Sequence, residues 1–226
     1  MTTDEYIAAH IDPEPERLHE LYRHTHLCHL YPRMCSGHVQ GRLLKMLTAM
    51  IRPTRILELG AYTGYSTLCM AEGMPEGCTI DTVEIDDQME DELLETFAAD
   101  PRGEDIHLHI GDALQVVPAI EGEWDMVFID ANKRMYREYL DIVMERVKPG
   151  AFIIADNTLW DGHLLDESTI HDQQSRAIAA FNDYVAAHPR LEKVILPVRD
   201  GMTVMRMRNE KLGNDVAMQL MGRRRR

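Results

Sequence analysis

Four carboxylates, Glu58, Glu84, Asp130 and Asp156, stand at the ends of short apolar runs that read as buried strands. In an open α/β sheet the carboxyl ends of the strands form the rim where ligands bind. Several carboxylates on one rim repel one another unless cations sit among them. Two kinds of cation would settle such a rim: a positively charged organic ligand and a metal ion. Asp130, Asp156 and Asn157 supply three hard oxygen ligands, a set that suits magnesium, with calcium or manganese also able to fit. Asp156-Asn157 would alone serve equally as a strand-to-loop turn. Asp130, three residues before Lys133, adds the context that favours a metal.

The organic cation is argued from Arg55 to Thr67, R-I-L-E-L-G-A-Y-T-G-Y-S-T. An apolar run passes through Gly60 and Gly64 into a helix-like segment, Tyr65 to Ala71. A strand that turns through glycine into a helix forms the first ligand corner of an open α/β sheet. Glycine also lets a ligand approach the backbone with no side chain in the way. A dinucleotide site needs G-x-G-x-x-G, and here the second glycine is missing. Pyrophosphate would also meet Glu58, which repels an anion and suits a ligand with positive charge. S-adenosylmethionine, with a sulfonium and an ammonium group, is such a ligand. Glu84 lies 24 positions after Gly60, about where nucleotide-binding α/β folds place the acid that accepts from a ribose diol. Asp112, at the end of the third strand, could meet an adenine amine.

The elements that must position these residues follow from periodicity. Glu14 to Leu30 and Gly37 to Ile51 read as helices, the second with Val39, Leu43, Leu44, Leu47 and Met50 inward. Pro53 ends the second helix before the first strand. Strands are expected at Thr79–Ile85, Ile106–Ile110, Met126–Asp130, Ala151–Asp156, Leu191–Leu196 and Thr203–Arg208, with a turn at Lys148-Pro149-Gly150. Helices are expected over Asp86–Ala99, after Arg134 to about Val147, and over Gln173–Ala187. The short link between the last two strands makes them antiparallel neighbours. His107 and His109 fall on the solvated side of their strand. His24, His26 and His29 invite a metal reading. The i, i+2 pair points to different sides of a helix, however, and no cysteine or carboxylate completes a zinc spacing.

The chain has 226 residues and is 45% hydrophobic, enough for one α/β domain with helical additions. That domain is expected over residues 1–212, with N-terminal helices at about 14–52, a core at about 53–208 and a basic, disordered tail at 213–226. The formal net charge is −14, which argues against nucleic acid as a partner and makes polyanionic substrates such as coenzyme A thioesters less attractive. No apolar run approaches membrane-spanning length and no secretory signal opens the chain. The four cysteines form no C-x-x-C. A cytoplasmic protein with buried or inert cysteines is therefore expected.

Several stretches carry a family resemblance between about Met34 and Arg208: M-C-S-G-H-V-Q-G-R-L-L, E-L-G-A-Y-T-G-Y-S, D-A-N-K at 130–133, A-D-N at 155–157, N-T-L-W-D-G and L-P-V-R-D-G-M. Together they resemble the magnesium-dependent catechol and caffeoyl-CoA O-methyltransferases. The resemblance implies a Rossmann-like, seven-stranded, mostly parallel α/β sheet with helices on both faces, its last strand antiparallel. It implies that Asp130, Asp156 and Asn157 hold the metal and that Lys133 is the general base, with Asp130 beside it. It places the methyl donor against Ser36, Glu58, Gly60, Tyr62, Ser66, Glu84, Ile85, Asp112, Ala113 and Asp130. Ser36 stands where animal catechol enzymes carry valine, and Ala113 where they carry serine, so these two are expected to act through their backbones. The implied acceptor is a small vicinal diphenol, and the implied assembly a homodimer.

In that chemistry the metal favours the phenolate, and Lys133, its pKa lowered by the divalent cation beside it, accepts the proton. The phenolate then attacks the sulfonium methyl in line. Two other readings stay open. One is an enzyme on a hydroxamate, a modified tRNA base or another metabolite hydroxyl. The other is a protein that holds the donor without turnover.

Overall fold

The computed structural model describes residues 2–165, 170 and 172–209. The chain divides into two compact units, Met1–Val116 and Val117–Arg226. The basic tail at 213–226 lies outside the described residues, as does part of the loop after Leu165.

The first unit opens with α1 (Thr3–Ala8), whose start is closed by a capping box between Thr2 and Glu5. Next come α2 (Glu16–Cys28) and α3 (His38–Ile51). Gly37 enters α3 at φ 76, and Arg52 leaves it in the left-handed region just before Pro53. The inward face of α3 matches the expected one only in part: Leu44 is buried, and Val39, Leu43 and Leu47 are half-buried. Met50 is exposed, and the enclosed residues are Gln40, Gly41, Arg42, Leu44 and Thr48. The cause is close packing of α3 on α4 (Tyr65–Gly73), where a Cβ on Gly41 would lie 2.7 Å from Cys69 Sγ. Arg42 then reaches Glu72 of α4 through two hydrogen bonds of 3.0 and 2.6 Å.

Strands β1 (Arg55–Leu59), β2 (Thr79–Glu84) and β3 (Ile106–Ile110) run parallel in the order β3-β2-β1. Between β2 and β3, α5 spans Glu90–Ala98, shorter than expected because a 3-10 turn over Asp87–Met89 precedes it. The registers Leu59↔Val83 and Glu84↔Ile110 bring the carboxyl ends of all three strands to one level. Gly60 N–H to Val83 O and Gly111 N–H to Glu84 O, both 2.8 Å, extend the ladder past the strand ends. As expected, His107 is exposed; His109 is half-buried and faces Asp81 of β2 at 3.1 Å. Helix α6 (Ala113–Ala119) carries the chain into the second unit.

The second unit holds β4 (Trp124–Ile129), α7 (Tyr136–Met144), β5 (Val147–Ala155), α8 (Gln173–Ala187), β6 (Leu191–Leu196) and β7 (Met202–Met207). Its strand order is β4-β5-β7-β6. β4 and β5 are parallel, and β7 is antiparallel to both β5 and β6, as the short final link requires. Lys148-Pro149-Gly150 is not a separate turn. β5 runs through it, and a register shift between Trp124 and Met126 absorbs the irregular residues. Phe128, Ile153 and Ile154 are fully enclosed, each such side chain contributing about 1.5–3 kcal/mol of burial.

The described residues thus contain seven strands, mostly parallel with an antiparallel end, and helices between them. No described helix is long and apolar enough to cross a membrane. Cys35, Cys69 and Cys78 are buried, whereas Cys28 is exposed.

Candidate active site

In the first unit, the turn after β1 is built by backbone strain. Gly60 sits at φ 96, Tyr62 at φ 50 and Gly64 at φ 83. Gly64 has no substitute, since a Cβ there would lie 2.7 Å from the Phe97 ring as well as being strained. The Tyr62 N–H donates to Glu84 Oε2 at 2.8 Å, and the Asp86 N–H donates to Glu84 Oε1 at 3.0 Å. Glu84 therefore ties the loops after β1 and β2 together and is held in one orientation. Next to it, Ile85 exposes an apolar side chain. Asp112 Oδ1 accepts from Leu114 N at 3.0 Å and starts α6, with Ala113 buried behind it. Ser36 is also buried, two residues past the 3-10 turn Pro32–Met34.

Glu58 does not stand as the sequence suggests. Read as a carboxylate facing a cationic ligand, it is instead fully enclosed, at 0% exposure. It accepts from Ser66 Oγ at 2.6 Å, from Thr82 Oγ1 at 2.6 Å and from Thr67 Oγ1. Three hydroxyls engage its charge, so it ties the end of β1 to α4 and β2. Ser66 is turned to the same carboxylate.

In the second unit, the pairing Ile129↔Ala155 puts Asp130 and Asp156 at the same level, one residue past two neighbouring parallel strands. Asp156 is buried, its N–H donates to Ile129 O at 3.0 Å, and its Oδ1 accepts from Asn157 N at 2.8 Å. Asn157 adopts φ 56, and its Nδ2 donates to Asp200 Oδ2 at 3.3 Å. The donor end of the amide is thus occupied, and its oxygen is the end left to face a cation. Two carboxylates and an amide oxygen are all hard ligands, so this set fits a magnesium-class ion.

Lys133 begins the 3-10 turn after β4, where Asn132 caps by accepting from Arg134 N. Its Nζ pairs with Asp130 Oδ1. The lowered Lys133 pKa expected from the sequence belongs to a lysine beside a divalent cation; with Asp130 and Tyr136 alone as partners the direction is the opposite. Burial alone would lower it, but the Asp130 carboxylate and the Tyr136 hydroxyl outweigh burial and raise it. Tyr136 is itself buried, and its hydroxyl donates to Ile129 O at 3.2 Å. Burial together with Asp130 and Asp156 raises its pKa against the opposing pull of Lys133. The hydroxyl therefore stays protonated beside the carboxylates.

Tyr136 and Asp200 are functional neighbours that the sequence reading leaves unassigned. The spacing of three between Lys133 and Tyr136 is a helical turn and could have marked the tyrosine. Asp200 lies 43 residues beyond Asn157, and no local pattern pairs them. The same β6–β7 link holds the loop after β5: Thr158 N donates to Gly201 O at 3.0 Å, and Leu159 N to Asp200 O at 2.7 Å. Asn182 of α8 supports it from the other side by donating to Thr158 O at 2.7 Å.

Comparison with known proteins bears on both constellations. A family model described as O-methyltransferase matches residues 7–208. Caffeoyl-CoA O-methyltransferase 2 of Zea mays is 32% identical over 85% of this chain and 77% of that protein. Catechol O-methyltransferase of Niastella koreensis is 31% identical over 70% of this chain and 72% of its own length. The crystal structure of a Podospora anserina methyltransferase with SAH bound superposes with a TM-score of 0.84 at 26% identity, over 91% of this chain and 94% of that one. With a glycine-strained corner after β1 and an oxygen-ligand set after β4 and β5, the chain belongs to the O-methyltransferase family and is an S-adenosylmethionine-dependent O-methyltransferase of the caffeoyl-CoA and catechol type.

Proposed function

We propose that the acceptor is a small vicinal diphenol and that Asp130, Asp156 and Asn157 hold a divalent cation, magnesium in the first instance, for its two oxygens. The observation that carries this reading is the grouping of two strand-end carboxylates, an amide oxygen with its N–H₂ already engaged, and an ion-paired lysine at the carboxyl ends of two neighbouring parallel strands. A cation bound there would favour the ionised form of a chelated phenol. Lys133 is the group that takes the acceptor proton at Nζ. Its proton affinity depends on how much of the Asp130 charge is otherwise engaged, which makes that carboxylate the control on the base. Tyr136, protonated and enclosed, fixes the position of Lys133. The acceptor oxygen then attacks the sulfonium methyl; the new C–O bond forms as the C–S bond breaks, and sulfur leaves as a neutral thioether. For the donor, Glu84 suits the ribose diol, Ile85 and Asp112 suit the adenine, and Ser36, Gly60, Tyr62 and Ala113 suit the remainder.

A net charge of −14 favours a small acceptor over nucleic acid. The reading includes a cytoplasmic homodimer, which light scattering would separate from a 26.0 kDa monomer. The deciding experiment is labelled methyl transfer from S-adenosylmethionine to an acceptor panel, with and without chelator. The panel should hold free catechols, a catechol acid as its coenzyme A thioester, hydroxamates and monophenols. Chelator-sensitive transfer confined to vicinal diphenols is expected. Equal transfer to monophenols, or transfer that survives exhaustive chelation, would overturn it.

A further inference from the structure

Three side chains outside the methyl-transfer machinery meet beside the donor corner. His24 lies in the last turns of α2, His29 caps that helix, and Glu92 lies in the first turn of α5. His29 Nε2 is 2.9 Å from Glu92 Oε1, and His24 Nε2 is 3.6 Å from the same oxygen. One ligating atom from each of the three lies within 4.8 Å of the others. Along the sequence, His26 is the third histidine of the group and no carboxylate stands at a zinc spacing. The fold changes both terms. His26 is bound through Nδ1 to Tyr22 O at 2.9 Å and packs on the Tyr22 ring. Glu92, 63 residues beyond His29, takes its place.

The separations suit a small ion. Around a tetrahedral zinc, bonds of about 2.0–2.1 Å put neighbouring ligand atoms about 3.3–3.4 Å apart. The observed 2.9 and 3.6 Å straddle that value. At 3.6 Å, His24 Nε2 is past direct hydrogen-bond reach, so a hydrogen bond does not account for its aim at Glu92. Two imidazoles and one carboxylate select a transition metal of the zinc class, whereas the all-oxygen set after β4 and β5 selects magnesium. His24 is half exposed, which leaves a fourth position open to water.

We propose that His24, His29 and Glu92 form a second metal site, for zinc or a related transition metal, that clamps the end of α2 to α5. The clamp bears on the donor corner, because the His29 ring lies edge-on to Tyr62 with centroids 5.5 Å apart, and the Tyr62 N–H donates to Glu84. An ion held there stiffens the loop that receives the donor without touching the donor itself.

The test uses untagged full-length protein in excess magnesium, which occupies the oxygen set. Cobalt(II) is titrated by visible absorption, where four-coordinate cobalt is distinguished from six-coordinate by its stronger bands, and zinc by calorimetry and thermal melting. One equivalent of four-coordinate cobalt and a zinc-dependent rise in the melting midpoint are expected in the wild type and in His26→Ala. In His24→Ala and in Glu92→Gln, affinity should fall by about tenfold or more, since even an outer-shell partner of a metal ligand typically carries that much. The half-exposed His24 can be removed without disturbing the core, so a folding defect does not confuse that result. Absence of four-coordinate cobalt in the wild type, or unchanged uptake in both variants, would overturn the proposal.

Discussion

Replacing Glu58 by glutamine separates two roles for the carboxylate at the end of β1. If it faces the sulfonium donor, the change should weaken donor binding and leave the fold intact. If it acts as the enclosed tie described above, stability should fall first. The carboxylate accepts hydrogen bonds from Ser66, Thr67 and Thr82, and Thr67 and Thr82 are fully buried. A hydrogen bond to a charged group contributes about 1.5–3 kcal/mol, against about 0.5–1.5 for a neutral pair, so three bonds lose roughly 3 kcal/mol of charge assistance. Relief from burying an ion offsets part of this. The amide oxygen can keep two of the hydroxyls, while the N–H₂ end forces the third to turn round and accept. A net loss of about 1–3 kcal/mol follows, large enough to measure and smaller than the stability of a typical domain. For a domain of this size that is a fall in melting midpoint of about 2–12 °C. Differential scanning calorimetry and S-adenosylhomocysteine titration on the same sample give both readouts. An unchanged midpoint with markedly weaker ligand binding would refute the tie and restore direct contact.

Lys133→Met should retain donor affinity and lose about a hundredfold or more in turnover on an unactivated catechol, with a smaller loss on a nitrocatechol whose oxygen is already ionised; full activity on the unactivated catechol would remove Lys133 from its role. Gly201→Ala places a Cβ 2.7 Å from the Leu159 Cβ and N at φ 86, so a loss of about 1–3 kcal/mol in denaturant unfolding is expected, with looser placement of the Asn157 loop. Glu72 provides a pH test. Burial would raise its pKa, but Arg42 and Lys45 outweigh burial and lower it. Its contribution is therefore complete above the ordinary glutamate range and is lost as pH falls through the lowered folded value. Glu72→Gln should flatten that acid limb of the stability profile, and an unaltered limb would show that the pair with Arg42 is energetically silent.

The positions of the strands, the glycines of the first turn and the acids at the strand ends could all be read from covalent spacing. Strand-length segments that place Glu58, Glu84, Asp130 and Asp156 at or beside their carboxyl ends announce a rim, because strand period and strand length are local properties of the chain. What each acid faces is not local. Glu58 and Glu84 close consecutive strands of one parallel set, yet one is sealed by hydroxyls from α4 and β2 while the other bridges two loops by backbone N–H groups. The inward face of α3 keeps Leu44 from its apolar stripe but adds Gln40, Gly41 and Arg42, because Gly41 allows a close approach to α4 that periodicity does not encode. Glu92 beside His29 and Asp200 beside Asn157 are separated by 63 and 43 residues, and only packing brings them together. The sequence by itself determined the family, the order of elements and the residue types able to bind a donor and a cation. Tertiary structure alone decided which of those charges are enclosed, which are paired, and which histidines share a carboxylate, because desolvation and hydrogen-bond partnership depend on neighbours supplied from distant parts of the chain.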